Sequence, residues 1–250
     1  MKILIACYPR VGSRYLNGKL SSYFDPYSGD IFANEEYQEK VFGEKSKAVS
    51  SHNRNIKTLS KQLNLKKTDI IIHLIANPYN SIISFFNAWP QKDFQYNNRP
   101  EFRIPNEAVK PLDIAKIQKS ANSFAIVPPG SNGLGHSLRP GFDINMTQKY
   151  HYQELMLRCD FLQHEHHFDT IINNDLDIRK ITIKYEGLPK LENINKLKQF
   201  LGIGFENLEF DNFNLRKTDW QNSIFKNEVE SVYGSLYKKY CDLPDIKIWR

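Results

Sequence analysis

The chain has 250 residues, 40% of them hydrophobic and 25% charged, with a formal net charge of +6. That length supports one sizeable core, and no run of about 18 apolar residues is present to cross a membrane as a helix. The positive balance favours an anionic ligand, but lysines and arginines are scattered rather than striped, which argues against nucleic acid and for a small phosphorylated molecule.

The amino terminus reads as a strand, without the charged and apolar regions of a secretory signal. The three cysteines, Cys7, Cys159 and Cys241, are widely spaced, which suits reduced thiols and predicts a cytoplasmic setting. Ile3–Cys7 is continuously apolar, as a strand buried on both faces is. Cys7 is therefore expected in the core rather than as a nucleophile.

Next comes "YPRVGSRYL", Tyr8–Leu16, a short basic loop with one glycine that turns helical. A strand, a loop and a helix start in this order cradle an anion on backbone N–H groups. The loop lacks the G-x-x-x-x-G-K-S/T order of a nucleotide triphosphatase. "VSSH", Val49–His52, reads as a short strand, and Ile56, Leu59 and Leu63 follow at helical spacing. Asp69–Ala76, "DIIIHLIA", predicts a second buried strand, leading into "NPYNSIISFF".

Residues 89–146 break this rhythm, holding most of the prolines and the glycine-rich Pro128–His136. A long irregular insertion is expected to serve as a lid over an acceptor site. Gly133–Gly135 follows no convincing strand and is no dinucleotide fingerprint. Tyr152, Leu155, Cys159 and Leu162 again fall at helical spacing. In "HEHH", His164–His167, only His164 and His167 share a helix face, so a solvated helix end is expected rather than a metal site. Ile181–Tyr185 predicts a third buried strand; Ile194, Leu197 and Leu201, then Val229, Val232, Leu236 and Tyr240, predict two more helices. Strands alternating with helices predict one α/β domain with a parallel sheet covered on both faces.

Five segments in one order, "YPRVGSRYL", "VSSH", "LIANPYNSIISFF", "IKYEGL" and "LRKTDWQN", resemble the sulfotransferases that use 3′-phosphoadenosine 5′-phosphosulfate (PAPS). The resemblance spans almost the whole chain except the insertion. It implies a P-loop-like three-layer fold in which the first loop holds the 5′-phosphosulfate. Arg10 stands at the family's lysine, Gly12 at its glycine and Ser13 at a threonine; Val11 and Arg14 complete the loop. Tyr15 stands at a tryptophan whose ring would stack on adenine. Tyr185 would approach the adenine or its ribose, and Glu186 falls in a Y-E pair with an equally good structural use.

The family's second motif, R-x-P-x-x-x-x-x-S, is met by Pro78 and Ser84, with Ala76 in the arginine's place. Ser84, Arg216 and Lys217 would then take the 3′-phosphate, although Thr218 replaces the glycine of the third motif. His52 stands at the histidine of K-T-H, with Ser50 at the lysine, and would act as general base beside Arg10. The implied activity is sulfuryl transfer from PAPS to a hydroxyl of a small molecule or carbohydrate, with no metal needed. A different phosphate-loop transferase such as a kinase, or a nucleotide-binding module without turnover, stays open.

Overall fold

A computed structural model describes residues 1–8, 11–23, 48–51, 56–88, 160, 164–211, 213 and 218–249. The expectations for Arg10, His52, Arg216 and Lys217 lie outside these residues. So do the insertion at 89–146 and the helix read on Tyr152–Leu162.

In chain order the described elements are β1 (Ile3–Cys7), α1 (Ser13–Ser21), β2 (Ala48–Ser51), α2 (Ile56–Gln62), β3 (Ile70–Ile75) and α3 (Pro78–Ala88). Then come α4 (His164–Ile172), β4 (Arg179–Lys184), α5 (Leu191–Leu201), α6 (Lys226–Cys241) and β5 (Ile246–Trp249). One-turn 3-10 helices occupy Tyr185–Gly187 and Trp220–Asn222.

The strands form a single five-stranded sheet in the order β2-β1-β3-β4-β5. β1 pairs in parallel with β2 and β3, and β3 pairs in parallel with β4. β5 runs antiparallel to β4, so the sheet is mixed rather than wholly parallel as the sequence predicts. Two helices, α5 and α6, separate β4 from β5, in place of the single crossover helix of a parallel pair. Leu243-Pro244-Asp245 brings the chain into β5 beside the end of β4, where the Lys184 N–H donates to the Asp245 carbonyl at 2.7 Å. As an edge strand, β5 shows a half-exposed Ile248 beyond a buried Ile246.

The continuous apolar runs fill both faces. Ile3, Ile5 and Cys7 of β1 join Ile70, Ile72, Leu74, Ile181 and Ile183 under α1, α3, α5 and α6. Leu4 and Ala6 face the other way, with Val49 and Ile71, against Ile56 and Leu59 of α2 and Ile171 of α4. This is the two-faced burial that the strand composition predicts.

Asp69 precedes β3 instead of opening it. Its buried carboxylate accepts the Lys2 N–H at 2.6 Å and the Lys66 N–H at 2.7 Å, stapling the start of β1 to the turn.

Candidate functional site

β1 lies between β2 and β3, so the chain leaves β1 to one side and later returns on the other. In α/β sheets of this kind ligands bind in the crevice beyond the carboxyl ends of the strands where the order reverses. The parallel register brings those ends together: Cys7 pairs with Leu74, Ala6 with Ser51, and Ile75 with Lys184. Tyr8, Ala76 and Tyr185 therefore begin the connections at one edge of the sheet.

Gly12 is the N-cap of α1, with φ 79° and ψ 19°. That left-handed conformation disfavours any side chain, and a methyl group added at Gly12 would also collide with the Tyr185 ring. The Leu16 N–H closes the first helical bond on the Gly12 carbonyl at 3.2 Å. α1 has no side-chain cap and no acidic residue in its first turn, which leaves its positive dipole end suited to an anion. Val11 is fully buried and anchors the loop, while Arg14 is exposed. Ser13 is buried, and its hydroxyl bonds the Cys7 sulfur rather than facing outward. Cys7 is a core residue as expected: burial pushes its thiol up to about 12, outweighing the Ser13 hydrogen bond.

The second turn is built differently. Asn77 Oδ1 accepts the N–H groups of Tyr79 at 3.0 Å and Asn80 at 3.3 Å, capping α3. The Asn77 N–H itself donates to Glu186 Oε1 at 2.8 Å, and the Ser81 N–H returns to the Asn77 carbonyl at 2.9 Å. The opening N–H groups of α3 are thus engaged within the protein, beside a carboxylate. Ser84 lies a turn further along α3, half-buried, and Ala76 is buried with no reach of its own.

Tyr8 joins the two turns. Its hydroxyl donates to the Ala76 carbonyl at 2.5 Å and accepts the Ala76 N–H at 3.3 Å. Burial drives the Tyr8 phenol far above its ordinary pKa, so it stays protonated and keeps the donor. The Tyr185–Gly187 turn adds a second tie: Tyr185 covers Gly12, and Glu186 holds Asn77 with one oxygen and the Tyr240 hydroxyl with the other at 3.0 Å.

Tyr15 is half-buried, with its hydroxyl donating to the Asp211 carbonyl at 2.9 Å. Its ring lies 6.0 Å from Phe210 and 5.3 Å from Phe213, and Phe213 lies 4.8 Å from Tyr185. Of the expected site residues, Val11, Gly12, Ser13, Arg14, Tyr15 and Tyr185 therefore gather around the start of α1.

"HEHH" corrects the sequence reading. His164 and His167 are each 1% exposed, so α4 begins in the core and only His166 faces outward. Asp160 makes this possible. Its carboxylate accepts the N–H groups of His164 and Glu165 at 2.9 and 2.8 Å and pairs with His164 Nδ1 at 2.9 Å. Burial works to raise the Asp160 carboxyl, but these bonds and the His164 charge hold it below its ordinary range. His164 and His167 edge onto Tyr8 at 5.0 and 6.4 Å, and His167 lies 6.2 Å from His73. Among the described residues no group of three His, Cys, Asp or Glu side chains is arranged to hold a metal ion. None of their helices is long and apolar enough to cross a membrane.

Sequence reasoning passed over Asn77, Phe213 and the bridging hydroxyl of Tyr8. For Asn77 a signal was present, since Asn followed by Pro marks a helix N-cap and its first residue. No protein-family model matches the chain, and no curated protein matches it.

Proposed function

We propose that the chain is a PAPS-dependent sulfotransferase, acting on a hydroxyl of a small molecule or carbohydrate. The observation that carries this reading is the contrast between the two helix starts at the strand-order reversal. α1 opens on a left-handed glycine with no cap and no acid, on the residues that resemble the family's phosphosulfate loop. α3 opens on an Asn cap with a carboxylate beside it.

In this reading Arg10 and the backbone of Val11–Arg14 hold the phosphosulfate, and Tyr15 and Tyr185 border the adenine. Ser84, Arg216 and Lys217 serve the 3′-phosphate. The acceptor oxygen attacks sulfur in line as the bond from sulfur to the bridging phosphate oxygen breaks. His52 takes the acceptor proton, and adenosine 3′,5′-bisphosphate departs with the bond electrons. Arg10 and the α1 dipole stabilise the charge that develops on the leaving phosphate.

Thermal unfolding tests the ligand class, because a ligand bound only by the folded state raises the midpoint. Adenosine 3′,5′-bisphosphate should raise it more than ATP with magnesium does; the reverse order would assign the chain to the phosphoryl-transfer class. A second reading, nucleotide binding without turnover, draws on the buried Ala76 and on the Ser13 hydroxyl held by Cys7.

A further inference from the structure

Three rings stand over the start of α1, and they differ in what they contact: two are tied through polar bonds and the third packs by its ring. Tyr15 is fixed by the bond from its hydroxyl to the Asp211 carbonyl and backed by the buried Phe210. Tyr185 sits on the one-turn helix that Glu186 ties to Asn77 and Tyr240. Phe213 lies against both, edge-on to Tyr15 at 78° and tilted by 41° to Tyr185, and all three rings are partly buried.

We propose that Phe213 is an internal occupant of the base site, filling the space between Tyr15 and Tyr185 and displaced when a purine enters. This rests on the nucleotide reading above and adds what controls access to the site. The physical grounds are chemical likeness and room. A phenyl ring is an aromatic partner for two tyrosines, as a base is, although it meets them edge-on and tilted rather than stacked. Ring centroids at 5.3 and 4.8 Å leave no gap for a further planar group. A purine must therefore break two ring contacts before it makes its own. A site occupied by its own side chain binds more weakly in proportion to the fraction of time it is open.

The test measures adenosine 3′,5′-bisphosphate and inorganic pyrophosphate by calorimetry on the wild-type chain, Phe213→Ala and Phe213→Leu. Phe213→Ala should bind the bisphosphate about tenfold more tightly, with Phe213→Leu in between, while pyrophosphate stays within about twofold. In stopped-flow binding the observed rate should level off with bisphosphate concentration for the wild type and climb linearly for Phe213→Ala. Far-UV circular dichroism confirms that each variant is folded, and Phe213→Leu carries the test if Phe213→Ala is not.

If the wild type binds the bisphosphate and the folded variants bind it equally or more weakly, Phe213 is a wall of the site and the displacement is overturned while the nucleotide reading survives. An equal gain for pyrophosphate would make Phe213 a cover of the anion cradle and overturn its assignment to the base. If no folded form binds the bisphosphate, the nucleotide reading falls and the displacement with it.

Discussion

The carboxylate of Glu186 and the backbone N–H of Asn77 meet at 2.8 Å across 109 residues of sequence. Because the other Glu186 oxygen holds Tyr240, one side chain joins the end of β4, the start of α3 and the surface of α6. Glu186→Ala removes two hydrogen bonds to a partly buried charge and should cost about 2–3 kcal/mol. A midpoint lowered by roughly 4–12 °C in thermal denaturation would match that cost for a chain of this size. Glu186→Gln keeps an acceptor for Asn77 and should lose less than half as much.

Gly12 is tested by pairing it with Tyr185. Gly12→Ala adds left-handed strain of about 1–2 kcal/mol and crowding of roughly 1–3 kcal/mol against the ring. Tyr185→Ala opens the space, so the double variant should be more stable than the sum of the two single losses predicts, by about 1–3 kcal/mol. Denaturant melts of the four chains close the cycle. Simple additivity would mean the ring and the glycine are not in contact.

His73 predicts a pH dependence. Burial first, and the Lys180 charge second, lower its pKa from 6.5 to about 3. Its ring is fully buried, with Nδ1 facing the Thr182 hydroxyl at 3.4 Å. The unfolded chain takes up a proton below pH 6.5 that the folded chain refuses, so His73 favours unfolding increasingly as pH falls from about 6.5 towards 3. The slope from this one group approaches about 1.4 kcal/mol per pH unit. His73→Gln should flatten that part of the profile in urea melts between pH 4 and 7, and an unchanged slope would place the proton uptake elsewhere.

β1 and β3 were legible in the sequence because they are apolar on almost every consecutive position, as strands buried on both faces are. β4 showed only Ile181 and Ile183 in alternation, although five of its six residues are buried. The boundaries shifted where an end residue had other work. Asp69 caps backbone N–H groups instead of opening β3, and Tyr185 starts a helical turn instead of closing β4. β5 escaped because "IKIW" is four residues of ordinary alternation at a sheet edge, with no long apolar run to announce it. "HEHH" misled for the opposite reason. Its polarity reads as solvated, and the partner that lets His164 be buried is Asp160, only four residues upstream, whose carboxylate also accepts the first N–H groups of α4. At the site, the glycine loop was legible as a pattern. The ties of Tyr8 to Ala76 and Glu186 to Asn77 were not, since each joins residues more than 60 positions apart.

Ala76 is where the chain departs most from the family it resembles, because a buried alanine stands at the arginine position. If the 3′-phosphate is bound, Arg216 and Lys217 carry more of its charge. Arg216→Ala should then weaken adenosine 3′,5′-bisphosphate by an interaction of about 1.5–3 kcal/mol, or about ten- to a hundredfold. Fluorescence titration of the two chains reads the ratio. Adenosine 5′-phosphate should be affected less than threefold, and equal losses for both nucleotides would remove Arg216 from the 3′-phosphate.

The most direct test of the sulfotransferase reading is a calorimetric comparison of adenosine 3′,5′-bisphosphate with adenosine 5′-phosphate on the unaltered chain. A charge-assisted site for the second phosphate, served by Ser84, Arg216 and Lys217, predicts that the bisphosphate binds about tenfold more tightly or better. Equal affinity for the two nucleotides would mean that no 3′-phosphate site exists, and would contradict assignment of the chain to PAPS chemistry.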